Sequence, residues 1–188
     1  MNLVHRNSLL SRGTLLVING PSSSGKTTLA RTLQNTAPSP FIHLQLDTFR
    51  EMEPKGYFEN IGCDLRWLRV AALCRSMNAA CAQFLLHGQS VILDHALPPE
   101  GWQYLEEDLS GHCVLTVGIF CSLQELERRE RERPDRKPGL AASQFSSVHR
   151  DRRYDIDIET TNTTASECAA KLAAWLALEP KPNAFPHQ

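Results

Sequence analysis

The stretch Gly20-Pro21-Ser22-Ser23-Ser24-Gly25-Lys26-Thr27-Thr28 follows the apolar run TLLVIN and opens an amphipathic segment. It fits the pattern G-x-x-x-x-G-K-[ST] of a phosphate-binding loop. Glycine admits backbone conformations that other residues resist, so successive N–H groups can turn inward and form an anion nest. A helix opening near Lys26 adds the positive end of its dipole. In that geometry residues Gly20 to Thr28 cradle the phosphates of a nucleoside triphosphate, and Lys26 reaches the β- and γ-phosphates. Thr27 offers its hydroxyl to Mg²⁺, an ion that prefers oxygen ligands, and Thr28 lies toward the α-phosphate. The plainer reading is a Gly/Ser turn with no ligand; the strand before it and the helix after it argue against that.

A pair of acids comes next. Asp47 is expected to end the second strand and Asp94 the third. In open parallel sheets ligands sit at the carboxyl ends of strands, so both carboxylates should face the nucleotide. Asp94, after VIL, has the place of an acid that orients Mg²⁺ and its waters; Asp47 is better placed to accept a proton from an attacking hydroxyl. A helix cap or loop carboxylate is the plainer role for either. Arginines follow: Arg129 and Arg133 are expected on the last turns of a charged helix, and Arg136 in a short lid between Pro134 and Pro138. Such arginines can bear the charge of a moving phosphoryl group. Arg128 and Arg131 read instead as helix-surface partners of the interleaved glutamates. His95 borders the acid site by sequence, and His149 reads as an ordinary histidine. Tyr57, Phe58, Trp67, Trp102 and Tyr104 are candidate walls of an apolar substrate pocket, although each alone is more often core.

The elements that must position these groups alternate along the chain. Strands are expected at 14–19, 41–47, 90–94, 113–121 and 155–161. Helices are expected at 26–36, 64–88, 98–109, 122–133, 139–150 and 164–177, the last capped by Thr164 or Ser166. Strands that are mostly apolar on both faces, alternating with helices, imply a parallel sheet covered on both sides. The expected fold is therefore an α/β P-loop NTPase of the nucleoside-monophosphate-kinase type. It has a five-stranded parallel sheet, helices on both faces and a short Arg-rich lid. One domain is expected over 1–188, with 1–13 and 179–188 as loose ends.

Bulk properties narrow the class. A net charge of −1 and a pI near 6.6 argue against a general nucleic-acid binder. No stretch approaches the roughly 18 apolar residues of a membrane span, and the N-terminus is too short and polar for a secretory signal. The six cysteines form no C-x-x-C pair, which disfavours a zinc site and suits buried, reduced thiols in the cytoplasm.

The chain resembles the chloramphenicol phosphotransferase-like group of P-loop kinases. The resemblance rests on VINGPSSSGKTTLARTLQ, LQLDTFREMEP, VILDHAL, VGIFCSLQELERRERERPDRKPGLAASQ and VHRDRRYDIDIETTNTTASECAAKLAAWL, in order over residues 15 to 177. It implies ATP and Mg²⁺ and transfer of the γ-phosphate to a small-molecule hydroxyl. Asp47 would then be the catalytic base and Arg133 and Arg136 the lid arginines. Two departures stand out. The stretch TFREMEPKGYFENIGC looks shorter than its counterpart in the chloramphenicol enzyme, where that stretch helps build the acceptor pocket, and Pro134 stands where the family has Gly. The expectation is an alcohol-acceptor kinase with chloramphenicol or a related molecule as substrate. A nucleoside, metabolite or toxin-like sugar-nucleotide kinase, or a nucleotide-binding regulator without transfer activity, are the alternatives.

Overall fold

The structure, a computed structural model, describes residues 13–133 and 138–185. In chain order it contains β1 (Leu15–Asn19), α1 (Lys26–Thr36), β2 (Phe41–Gln45), α2 (Leu46–Glu51), α3 (Tyr57–Asn60), α4 (Cys63–Leu86) and β3 (Ser90–His95). There follow α5 (Pro99–Asp108), β4 (Val114–Phe120), α6 (Leu123–Arg131), α7 (Leu140–Phe145), β5 (Ile156–Glu159) and α8 (Ala165–Leu176).

The five strands pair in parallel in the order β2-β3-β1-β4-β5, which puts the strand of the phosphate loop at the centre. Every residue of β1 is buried, as the apolar run Leu15–Ile18 requires of a strand with layers on both faces. Leu15 and Val17 pack with Met77 and Leu85 of α4 and Trp102 of α5. Leu16 and Ile18 pack on the other face with Leu29 and Leu33 of α1 and Leu172 of α8. The chain thus leaves β1 toward one face and β3 toward the other. The divergence opens a crevice at the carboxyl ends of these two neighbours, where open α/β sheets take ligands.

Asn19 braces that crevice. Its Nδ2 donates to the Val148 carbonyl (3.0 Å) and the Tyr154 hydroxyl (2.8 Å), and its Oδ1 accepts from Leu97 N–H (2.8 Å). Three segments meet on one fully buried amide. Asn19→Ala removes the partner of the Val148 carbonyl and of Leu97 N–H, while the Tyr154 hydroxyl keeps its bond with His149; a loss of about 2–4 kcal/mol is expected in urea unfolding, since each orphaned buried group costs about 1–3 kcal/mol. An unchanged midpoint would remove the brace from the account.

Several boundaries differ from expectation. β2 stops at Gln45, so Asp47 does not end a strand; it is the second residue of α2. An acid in a first turn suits the positive end of a helix, and Leu46 turns into the core rather than extending the sheet. α6 stops at Arg131, so Arg133 lies just beyond the helix, its N–H bonded to Glu130 O (3.0 Å). α7 ends at Phe145, short of residue 150. The short α3 carries no strong periodic signal and lies in the stretch where no element was expected. The segment 179–185, expected to be loose, is tied down: Phe185 joins the first core, and the amides of Asn183 and Ala184 donate to Asp155 Oδ1. Thr164, rather than Ser166, caps α8 in a reciprocal box with Glu167. Arg136 and Pro134 lie outside the described residues.

Cys74, Cys81, Cys121 and Cys168 are buried, whereas Cys63 and Cys113 are exposed; all six are unbridged. Among the described residues no helix is long and apolar enough to cross a membrane.

Candidate active site

The loop between β1 and α1 has the backbone that its sequence demands. Ser23 (φ 63°) and Gly25 (φ 91°) take left-handed conformations. Alternation of this kind is what turns successive amides toward one point. Gly20 is required sterically: a Cβ there would stand 2.7 Å from Ile119 O and 3.0 Å from the Ile119 side chain and Ser24 Oγ. Gly20→Ala must push the loop off β4. The expected result is about 1–3 kcal/mol of lost stability with nucleotide affinity lowered about tenfold, read by urea unfolding and nucleotide titration. Wild-type values in both would contradict the steric argument.

The rest of the loop is braced from behind. Thr160 Oγ1 donates to Ser24 O (2.9 Å) and Arg129 Nη2 to Thr160 O (2.6 Å). Arg129 Nε also bonds Glu125, and its Nη1 lies 3.7 Å from where a Gly25 Cβ would be. Arg129 therefore stands against the loop without lining the cleft. Gln144 of α7 accepts from Ser22 N–H (2.7 Å). Ser23 Oγ and Ser24 Oγ are buried and have no protein partner.

Lys26 is buried and its Nζ donates to Pro21 O (2.8 Å). Thr27 Oγ1 donates to Asp94 Oδ2 (2.6 Å), and His43 Nε2 lies 3.5 Å from the same oxygen. Burial pushes the Asp94 carboxyl up, but His43, the Lys26 charge and the Thr27 hydroxyl together hold it below the usual carboxylate range. The neighbouring His95 is also buried; burial drives its imidazole down to about 4, against the pull of Asp94, so it is neutral at pH 7. Its Nε2 is buried without a hydrogen-bond partner, and the residue lines the cleft, so His95 does border the site.

The donor set fits Mg²⁺. A hydroxyl and an ionised carboxylate are hard oxygen ligands, and they touch each other at the mouth of the phosphate loop. Among the described residues no three His, Cys, Asp or Glu side chains converge to hold an ion unaided. That suits an ion bound by one or two protein oxygens, with phosphate oxygens and water supplying the rest.

These groups share one cleft of about 440 Å³. Ser22, Ser23 and Gly25 to Thr28 line it together with Asp47, Arg50, Trp67 and Tyr104, and Asp94, His95 and Arg133 also line it. Asp47 is thus brought to the phosphate loop from α2. The aromatic expectations divide: Trp67 and Tyr104 line the cleft, Trp102 is core, and Tyr57 and Phe58 lie outside the lining. Cys74 also lines the cleft, but burial raises its thiol to about 11, which makes it wall rather than nucleophile. His149 stacks on Phe120 (4.2 Å) and bonds Tyr154 OH (2.8 Å), a packing role.

Sequence reasoning passed over Asn19, Arg50, Gln144 and Glu130. Glu130 looked like one more member of a Glu/Arg surface run. It is buried instead, and its two oxygens accept from the amides of Gly139 (2.7 Å) and Ala141 (2.8 Å). It thereby ties the end of α6 to the start of α7, across the segment that carries Arg133. Arg128, by contrast, makes the expected surface pairs with Glu125 and Glu132.

The fold is that of the P-loop kinases of the nucleoside-monophosphate-kinase type. The model of the chloramphenicol phosphotransferase-like proteins matches residues 13–177, and the chain belongs to that family. A provisionally named O-phosphotransferase of Mycobacterium tuberculosis is 29% identical over 197 residues, covering 94% of this chain and 88% of the relative. Among solved structures, the M. tuberculosis APS kinase in complex with AMPPNP and APS superimposes with a TM-score of 0.69 at 20% identity, over 89% of this chain and 99% of that one. The Deinococcus radiodurans tunicamycin resistance protein does so with 0.61 at 16%, over 93% and 99%.

Proposed function

We propose that the protein transfers the γ-phosphate of ATP to a hydroxyl of a small molecule, with Mg²⁺. The carrying observation is that Lys26, the Thr27–Asp94 pair and Asp47 line one cleft, whose wall also includes Trp67, Val70 and Ala71. Gly20 to Thr28 hold the triphosphate. Thr27 and Asp94 hold the magnesium ion, which when bound neutralises phosphate charge. The acceptor hydroxyl lies against Asp47. As its oxygen forms a bond to Pγ, its proton passes to the Asp47 carboxylate. The bond from Pγ to the β–γ bridging oxygen breaks, and ADP leaves. Lys26, Arg133 and Arg136 bear the charge on the moving phosphoryl group. Positioning and electrostatics supply most of the rate.

The family description makes chloramphenicol the first acceptor to assay. The experiment follows γ-labelled ATP into chloramphenicol and into a panel of hydroxylated metabolites, nucleosides and sugar nucleotides. Labelled product from the wild type supports the reading and names the acceptor. Nucleotide binding with no labelled product from any acceptor would favour a nucleotide-dependent regulator and overturn it.

A further inference from the structure

The acceptor end of the cleft holds a cation that the proposed chemistry does not use. Arg50 lies in α2 three residues after Asp47, so the two share one helix face, a turn apart. Both line the cleft. The Arg50 guanidinium lies over the Phe58 ring at 4.0 Å, which fixes its plane and covers one side. Stacking engages no N–H donor. Its Nε is buried and has no hydrogen-bond partner, and among the described residues no carboxylate pairs with the guanidinium. The nearest acid in sequence on the inner side, Glu53, is bridged to Arg69 instead. Glu51 is exposed.

A half-buried guanidinium that lines a cavity, rests on an aromatic ring and has no carboxylate partner among the described residues has the chemistry of an oxyanion receptor. Its fork matches the two oxygens of a carboxylate, sulfate or phosphate. Most other arginines near the site are already engaged. Arg129 is held by Glu125 and Thr160, and Arg66 donates to the carbonyls of Glu59 and Ile61.

We infer that the acceptor carries an anionic group as well as the hydroxyl, and that Arg50 binds the anion while Asp47 faces the hydroxyl. The inference rests on the kinase reading and narrows its substrate class. The spacing of one helical turn sets the two groups about 5–6 Å apart at their attachment points, a separation of a few bonds in the acceptor. The class is a hydroxylated carboxylate, sulfate or phosphate ester. Neutral chloramphenicol is then the poorer substrate.

Two measurements test this on the full chain. In the first, the phosphate loop is saturated with AMPPNP and Mg²⁺. Sodium sulfate is then titrated against sodium chloride at matched ionic strength, with the signal read from tryptophan fluorescence, since Trp67 lines the same cleft. Saturable sulfate binding is expected for the wild type, weakened about ten- to a hundredfold in Arg50→Gln and less so in Arg50→Lys, in keeping with the strength of charge-assisted hydrogen bonds. AMPPNP affinity in the same samples reports folding. No sulfate response, or an equal response in Arg50→Gln, overturns the inference. In the second, labelled transfer is compared between paired acceptors with and without the anion, such as a nucleoside 5′-monophosphate and its nucleoside, or glycerate and glycerol. The anionic member is expected to win in the wild type and to lose its advantage through a raised KM in Arg50→Gln. A neutral member that matches or beats its partner overturns the inference. Sulfate binding through Arg50 without transfer to any acceptor would instead leave the anion site standing and remove the kinase reading.

Discussion

Asp47→Asn is expected to slow phosphoryl transfer by about 10²- to 10⁴-fold, the range for loss of a general base. MgATP affinity is expected to stay within about threefold of wild type. The substitution keeps size and hydrogen-bonding reach but removes the lone pair that takes the hydroxyl proton. Asp47 is set in the first turn of a short helix, outside the phosphate loop whose shape rests on bonds of Lys26, Thr27 and Thr160. Single-turnover transfer and nucleotide titration on the same samples separate the two quantities. Parallel losses in both would mean that Asp47 shapes the nucleotide site. Transfer within about tenfold of wild type would mean that the proton leaves by another route.

The contrast between Asp47 and Lys26 bears on what the sequence could reveal. Lys26 was placed at the first residue of a helix running to Thr36, and the structure has that helix at Lys26–Thr36. Glycines, an apolar strand and a helical period all agree there, and no tertiary contact is needed to read them. Asp47 was recognised as a cleft acid but put on a strand. FIHLQLD reads as one apolar run, whereas the strand stops at Gln45 and a helix opens at Leu46, which packs on the core. With the strand ending at Asp47 and no element expected after it, nothing tied Arg50 to Asp47, whereas the helix Leu46–Glu51 puts both on one face. Glu130 was illegible for a related reason. Its partners are amides nine and eleven residues away, across a segment whose conformation no local pattern specifies. Asn19 reads as the polar end of a strand, and its three partners come from segments remote in sequence. Local periodicity thus places the loop and sheet, while the braces that shape the acceptor end come from long-range hydrogen bonds.

Lys26→Met should produce the larger defect and a different pattern. Its Nζ rests on the Pro21 carbonyl, and its charge helps hold the Asp94 carboxyl below the usual range. Phosphate offers that ammonium a stronger, charged acceptor than a neutral carbonyl, so the resting bond is one that arriving nucleotide can displace. Methionine keeps the length of the stem and its packing while removing the charge. Three losses then coincide: the phosphate partner, one of the influences that keep Asp94 ionised, and the donor to Pro21. Transfer is expected to fall at least about 10³-fold, comparable to removal of other groups that bear transition-state charge, and nucleotide affinity about tenfold. Stability should not fall in step. A buried ammonium carries a desolvation penalty, and its attraction to the Asp94 carboxyl offsets part of it, so replacement by an apolar chain is expected to move the urea midpoint little. Those two results together, activity down and stability level, separate a residue kept for phosphate from one kept for folding. A marked drop in the urea midpoint, or transfer within about tenfold of wild type, would place Lys26 on the structural side.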